Sequence, residues 1–147
     1  MDAKLTSYCG LYCSDCIPSK EELFSSIEKL EELMESLHFE EYANLKSKVY
    51  PKLSQYRIFN EVLKEMKLLK CSISCRNGGG KEDCSIRICC KNNDRNGCWE
   101  CKDRKSCDLL QPLIKVHSNL YYHHDLIRYH GIDDWVRYRK THYKWQE

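Results

Sequence analysis

The chain has 147 residues, of which 41% are hydrophobic and 31% charged, and its formal net charge is +2. This length fits a single domain, and the low apolar content predicts that a metal or cross-link supplements the hydrophobic core. The N-terminus has no signal-like apolar run and no stretch reaches membrane-span length, so we expect a cytoplasmic protein with no membrane partner. The mildly basic balance gives no support to nucleic-acid binding, which needs a concentrated basic patch.

Residues 20–70 follow a first cysteine cluster in residues 1–19 and carry helical periodicity. Ser19 and Glu22 fit a capping box, and apolar residues then recur at helical spacing to about Phe39. The residue before a proline disfavours helix, so a second helical segment is expected to break at Tyr50, which precedes a proline.

The two halves of this helical region carry opposite charge. Residues 20–43 contain eight glutamates and two lysines, whereas residues 44–70 contain seven basic and two acidic side chains. Opposite charges favour side-by-side packing of the two segments, although exposed pairs contribute at most about 1 kcal/mol each. The sequence therefore predicts an antiparallel helical hairpin.

Residues 71–107 contain eight of the eleven cysteines and are rich in turn-forming residues, which predicts an irregular module. Only Cys84–Cys89 fits a short strand or helical turn. Residues 108–147 then predict helices, with Gly131 as a C-terminal cap and Asp133 as the cap of a last helix reaching Trp145. The predicted fold class is mainly α: residues 1–147 form a small single domain, in which a hairpin and C-terminal helices pack around an irregular Cys-rich zinc-binding module.

The cysteines predict metal binding, because thiols in the cytosol stay reduced and seldom form disulfide frameworks. Structural zinc takes four thiolate or imidazole ligands, and two pairs have the two-residue spacing of a zinc knuckle, namely Cys13/Cys16 and Cys98/Cys101. We predict about two zinc ions, whose tetrathiolate sites would take the net charge from +2 to −2. The predicted ligands are drawn from Cys9, Cys13, Cys16, Cys71, Cys75, Cys84, Cys89, Cys98, Cys101 and Cys107.

Two tetrathiolate sites need eight ligands, so the chain has cysteines to spare. Adjacent cysteines seldom bind one tetrahedral ion together, and Cys90 is interpreted as a spare thiol. A buried, inert thiol is the favoured interpretation, and activation by the cations Arg87 and Lys91 is the alternative. One site is expected within residues 71–107, and the other to join the N-terminal trio to a cysteine of that module. An iron–sulfur cluster or a thiol redox protein remains an alternative, because thiolates suit iron and zinc alike.

Other features have two interpretations each. Arg76 with Gly78–Gly80 predicts a turn, or an anion site built from backbone N–H groups. Five of the six histidines follow residue 116 and are interpreted as surface or helix-face residues, with metal ligation as the alternative. The basic and aromatic residues of 121–145 fit core packing, or binding of single-stranded nucleic acid. No catalytic constellation is recognised, which favours a non-enzymatic binding or adaptor module, with a protein among the candidate partners.

Several motifs also resemble a known family. They are CGLYCSDC at residues 9–16, CRNGGGKEDCSIRICC at 75–90, GCWEC at 97–101, and IRYHGIDDW at 127–135. Together they are similar to a cysteine-rich prokaryotic family catalogued as a domain of unknown function, DUF3795, whose members are often described as zinc-binding. The resemblance covers residues 7–17 and 71–136 and places all ten predicted ligands at family cysteine positions, Cys71 less securely. It implies metal binding and supplies no activity.

Overall fold

The structure is a computed structural model that describes residues 2–143 and 146, apart from the side chain of Asp2. It is mainly helical, as predicted, and the described residues contain no β-strand. The chain divides into two compact units, residues 20–70 and the combination of residues 1–19 with 71–147. These limits coincide with the predicted segment boundaries, and the single domain stays a prediction. No helix in the described part of the chain has the length and apolar content needed to cross a membrane.

Residues 20–70 form the predicted antiparallel hairpin. Its helices are α1 (Glu21–Ser36), α2 (Phe39–Lys46) and α3 (Tyr56–Leu68), with a short 3₁₀ helix at Pro51–Gln55 where the proline was expected to interrupt the segment. Ile27, Met34 and Leu63 form its buried core.

Three ion pairs establish the direction of the hairpin helices. Glu21 pairs with Lys70 at 2.8 Å, Glu31 with Lys67 at 2.5 Å and Glu40 with Arg57 at 3.0 Å. As residue numbers increase along the first segment, the numbers of their partners decrease, so the two segments are antiparallel. The opposite charges recognised in the sequence therefore pair within this unit.

The predicted capping box at the start of α1 is wrong. The helix begins at Glu21, and its N-cap residue Lys20 makes no side-chain capping hydrogen bond. The Ser19 hydroxyl instead donates to the backbone carbonyls of Cys13 and Cys16, at 2.6 and 2.7 Å. Ser19 lies one residue before the N-cap position, so its hydroxyl oxygen is not placed to accept the first N–H groups of α1.

Residues 1–19 and 71–147 contain the remaining helices α4 (Ser85–Asn92), α5 (Gln111–Ile114) and α6 (Leu120–His130), joined by short 3₁₀ turns. Of residues 84–89, left open between strand and helix, 85–89 are therefore helical, and Cys84 is the extended N-cap residue. One core cluster contains Ile86, Cys90, Cys98, Leu110 and Leu120. A second contains Tyr12, Trp99, Ile127 and Trp135.

The C-terminal part departs from the prediction after α6. Gly131 ends that helix as expected, donating its N–H to the Ile127 carbonyl at 2.9 Å. The predicted last helix is wrong over the described residues: only a 3₁₀ turn forms at Trp135–Tyr138, and Arg139 is already extended. Lys144 and Trp145 lie outside the described residues. The extended course lets Arg139 reach the carboxylate of Asp15, with bonds of 2.8 and 2.9 Å.

Candidate metal centre

The first group of thiols forms where the N-terminal segment meets the start of the Cys-rich module. Cys13–Asp15 is a 3₁₀ turn, and the Cys71 N–H donates to the Pro18 carbonyl at 2.8 Å. Burial raises the pKa of Cys13, and the thiols of Cys75, Cys71 and Cys16 raise it further by charge repulsion. A hydrogen bond with the backbone of Cys75 acts in the opposite direction. Four cysteines from two distant stretches of the chain thus lie near one another: Cys13, Cys16, Cys71 and Cys75.

The second group lines a cavity of about 30 Å³, to which α4 contributes part of the wall. Five cysteines contribute to its wall: Cys89, Cys90, Cys98, Cys101 and Cys107. The sulfurs of Cys90 and Cys98 are 3.8 Å apart. Their hydrogen bond raises the pKa of Cys98 and lowers that of Cys90. That separation matches two sulfurs bound to one zinc at about 2.3 Å each in a tetrahedron.

Two guanidinium groups stand beside this second group. Arg95 donates to the Cys101 sulfur at 3.3 Å. Arg104 also lines the cavity, and its buried Nε–H finds no acceptor among the described residues. A tetrathiolate zinc centre carries a net charge of about −2. Guanidinium groups and N–H donors without an acceptor would therefore stabilise such a centre.

Cys9 lies near Cys75 of the first group and near Cys84. Burial raises the pKa of Cys9 to about 11, and the thiols of Cys75 and Cys84 add to that increase. The Cys9 sulfur lies 3.0 Å from the Ser7 hydroxyl. Cys9 also contributes to the raised pKa of Cys98. It therefore lies between the two groups.

The Cys9–Cys13 loop depends on a glycine with a left-handed backbone. Gly10 has φ of +87°, a region that favours glycine. A Cβ at this position would lie 2.5 Å from Cδ2 of His124, whose Nε2–H donates to the Cys9 carbonyl at 2.8 Å. Both the left-handed turn and the close approach of the His124 imidazole therefore require a residue without a side chain at position 10.

Replacing Gly10 with alanine should lower the free energy of unfolding by about 2 kcal/mol, from backbone strain together with displacement of His124. Gly78→Ala is the matched control, because Gly78 has φ of +97° and its added Cβ would meet nothing within 4 Å. Urea titration of both variants checks this prediction. Equal losses of stability would contradict a role for the His124 contact.

The glycine-rich loop is the turn that the sequence favoured, and its carbonyls converge on Arg87. This buried guanidinium donates to four backbone oxygens, at distances of 2.6–3.2 Å. The acceptors are the carbonyls of Cys75, Gly79, Lys81 and Glu82.

The main influences on the pKa of Cys90 do not include Arg87 or Lys91, the cations that flank it in the sequence. The bond with Cys98 chiefly lowers the pKa of Cys90, and the contributing cations are Arg95 and Arg76. Arg87 is engaged by the loop carbonyls, and the sequence offers no signal for that role beyond the short Cys-x-Ile-Arg-x-Cys motif.

The interpretation of the histidines as surface or helix-face residues is wrong for His117 and His142, whereas His123 and His124 lie on a face of α6. His117, His123, His124 and His142 are buried. The signal was present in α6, where the buried residues Leu120, His123, His124 and Ile127 follow the spacing of one helix face. Burial lowers the pKa of His123 to about 4 and that of His142 to about 3.

The basic and aromatic C-terminal residues are divided between the interior and the surface. Trp135 and Tyr143 are buried, and Arg139 pairs with Asp15. The Tyr138 ring stacks on His130 at 3.8 Å between centroids. Core packing therefore describes Trp135 and Tyr143, whereas Tyr122, Tyr129 and Tyr138 are exposed.

Comparison with known proteins identifies a family. The family described as "Protein of unknown function (DUF3795)" matches residues 5–112, which is more than two thirds of the chain. The chain belongs to this family. The DUF3795 match contains all eleven cysteines and the hairpin, which the motif resemblance did not reach, and it ends before α6. No curated protein and no solved structure matches the chain.

The side chains of the described residues are not arranged as a formed metal site. No group of three or more His, Cys, Asp or Glu among them could hold an ion as it stands. All eleven cysteines have free thiols. Any shared ion therefore requires thiols within each group to turn toward it.

Proposed function

We propose that this DUF3795 protein is a metal-stabilised binding or adaptor module that holds two zinc ions. The observation that carries the proposal is the meeting of Cys13 and Cys16 with Cys71 and Cys75 across the 51 residues of the hairpin unit. Two cysteine pairs brought together in this way supply the four soft ligands that structural zinc takes.

The first ion would be bound by Cys13, Cys16, Cys71 and Cys75. The second would take four of the five thiols that line the cavity, where Arg95 donates to the Cys101 sulfur and offsets part of the thiolate charge. This assignment leaves Cys9, Cys84 and one cavity thiol as packing residues, and burial raises the pKa of Cys9 to about 11. Closed sites of this kind supply folding energy rather than catalysis, which supports a cytoplasmic binding role without enzymatic activity.

Elemental analysis of the purified protein should find about two zinc ions per chain. The double variant Cys13→Ser/Cys16→Ser should lose one ion, and Cys98→Ser/Cys101→Ser should lose the other. Cys84→Ser is the matched control and should keep both. Single serine variants at Cys89 and Cys90 then identify the spare thiol, since only the ligand variant loses metal.

Several results would overturn the proposal. Anaerobic purification that yields a brown protein with iron and sulfide would replace zinc with an iron–sulfur cluster. A metal-free chain with an unchanged unfolding transition would show that the thiols serve only as packing groups, because zinc sites contribute directly to folding.

A further inference from the structure

The hairpin unit has two unlike sides. One side carries charged and polar groups, including Glu31, Glu35, Asn60 and Lys64 around a shallow cavity. Leu30, Leu33 and Leu37 follow one another on a different stripe of α1, at spacings of three and four residues. Ile58, Val62 and Leu69 form a corresponding stripe on α3 and its C-cap, at spacings of four and seven residues.

Both stripes lie on the same side of the hairpin. Each is rotated in the same sense, at about 100° per residue, from the stripe that forms the hairpin core. In an antiparallel pair, rotations of the same sense place the two stripes on one side, opposite the ion pair of Glu31 with Lys67. Phe59 lies between the α3 stripe and the core. We name the resulting surface the apolar face: Leu30, Leu33, Leu37, Ile58, Phe59, Val62 and Leu69.

The area of the apolar face is sufficient for a stable contact. Its seven side chains are 40% to 69% exposed. At about 100 Å² each they offer roughly 700 Å², close to the roughly 800 Å² that each partner contributes to a typical interface. An exposed apolar surface of this size on a small protein indicates an interaction site.

The charges at the margins of the face are complementary to those of a second copy. Lys29 borders the stripe of α1 and Glu65 borders the stripe of α3, and both are exposed. Within the described part of the chain neither has an ion pair. The pairing of Glu31 with Lys67 places Lys29 and Glu65 about one helical turn apart along the hairpin axis.

We propose that two copies of this chain associate through their apolar faces to form a four-helix bundle. A two-fold axis parallel to the helices sets α1 of one copy against α3 of the other, antiparallel, as in up-and-down bundles. This arrangement brings Lys29 of each copy beside Glu65 of the other, whereas a perpendicular axis would bring Lys29 beside Lys29. The hairpin contains no cysteine, so the dimer does not depend on the proposed zinc sites.

Sedimentation velocity and light scattering on the full-length, metal-loaded protein measure the association. The mass should rise from 17.5 kDa toward twice that value as the concentration increases from about 1 to about 100 µM. Val62→Glu should weaken dimerisation on the order of 100-fold, because it buries a charge within the apolar face. Leu68→Glu is the matched control: Leu68 is 78% exposed and lies outside the apolar face, about 120° around α3 from Val62, and its variant should still dimerise.

A charge exchange tests the geometry of the bundle. Lys29→Glu and Glu65→Lys should each weaken the dimer about tenfold, and the double variant should restore it. A monomer at the highest concentration, including one that binds a different protein through this face, would overturn the proposal. So would a dimer that persists unchanged in Val62→Glu. Additive losses in the double variant would overturn the proposed axis.

Discussion

Replacing Arg87 with lysine should lower the free energy of unfolding by about 3 kcal/mol, although the charge is retained. The guanidinium donates to four backbone carbonyls of residues 75–82, and its side chain is only 7% exposed. An ammonium group has three donors at one point and cannot reach four acceptors spread around a planar fork. Lysine would therefore leave buried carbonyls without donors, at a cost of about 1–3 kcal/mol for each unsatisfied group.

Lys91→Arg is the matched control, because Lys91 is exposed near the C-terminus of the same helix. This reverse exchange should change stability by less than about 0.5 kcal/mol. Urea titration followed by circular dichroism gives both values. Equal stability of the two variants would contradict the role of Arg87 in organising the loop.

Arg87 also connects the loop to the proposed first metal site. One of its acceptors is the carbonyl of Cys75, at 3.2 Å, and Cys75 belongs to the first group of thiols. A loosened loop should leave the Cys75 thiol less well placed for a shared ion. In Arg87→Lys we therefore expect faster zinc transfer to a chelating dye, with the second ion unaffected.

The parts of the fold that could be predicted are those with local signals. Helical spacing and opposite charges were sufficient for the hairpin, because its ion pairs and core residues lie on neighbouring turns of α1 and α3. The break before α3 also followed from a single proline. These signals, together with the turn-rich composition of residues 71–107, were sufficient to predict the fold class.

The errors arose where a side chain serves a distant part of the chain. Ser19 resembles a helix cap but bonds to cysteine carbonyls, and Arg139 ends a helical pattern because it reaches Asp15, 124 residues earlier. Which cysteines belong to each thiol group is also decided by contacts between distant parts of the chain. Spacing identifies the Cys13/Cys16 knuckle, but only tertiary structure shows that its neighbours are Cys71 and Cys75.

Acidification from pH 6.5 to pH 5 should destabilise the protein by roughly 2 kcal/mol for each of His123 and His142. His123 accepts the Lys140 N–H on Nε2, at 3.1 Å, so its proton lies on Nδ1. That proton is donated to Nδ1 of His142 at 2.9 Å, which leaves the His142 proton on Nε2. The Nε2 atom is buried and has no partner among the described residues. Both imidazoles are therefore held neutral.

The sign of the effect follows from burial. Burial lowers the folded-state pKa of His123 to about 4 and of His142 to about 3, below the unfolded value of 6.5. The unfolded chain therefore binds more protons below pH 6.5, and stability falls as the pH decreases toward those values. The groups facing His142 do not reverse this: Asp15 favours its protonation, whereas Arg139, His117 and His123 oppose it. Asp15 itself has a lowered pKa, so its own contribution is lost only at more acidic pH.

The measurement compares urea unfolding at several pH values between 5 and 7.5 in the native protein and two variants. His123→Gln retains an acceptor for the Lys140 N–H but does not titrate, so its stability should depend less steeply on pH, by up to about 1.4 kcal/mol per pH unit. His38→Asn is the control, because His38 is exposed on the hairpin, and its slope should match the native protein. All three proteins contain the same cysteines, so release of metal at low pH affects them alike. An unchanged slope in His123→Gln would show that the buried histidine pair does not cause the acid sensitivity.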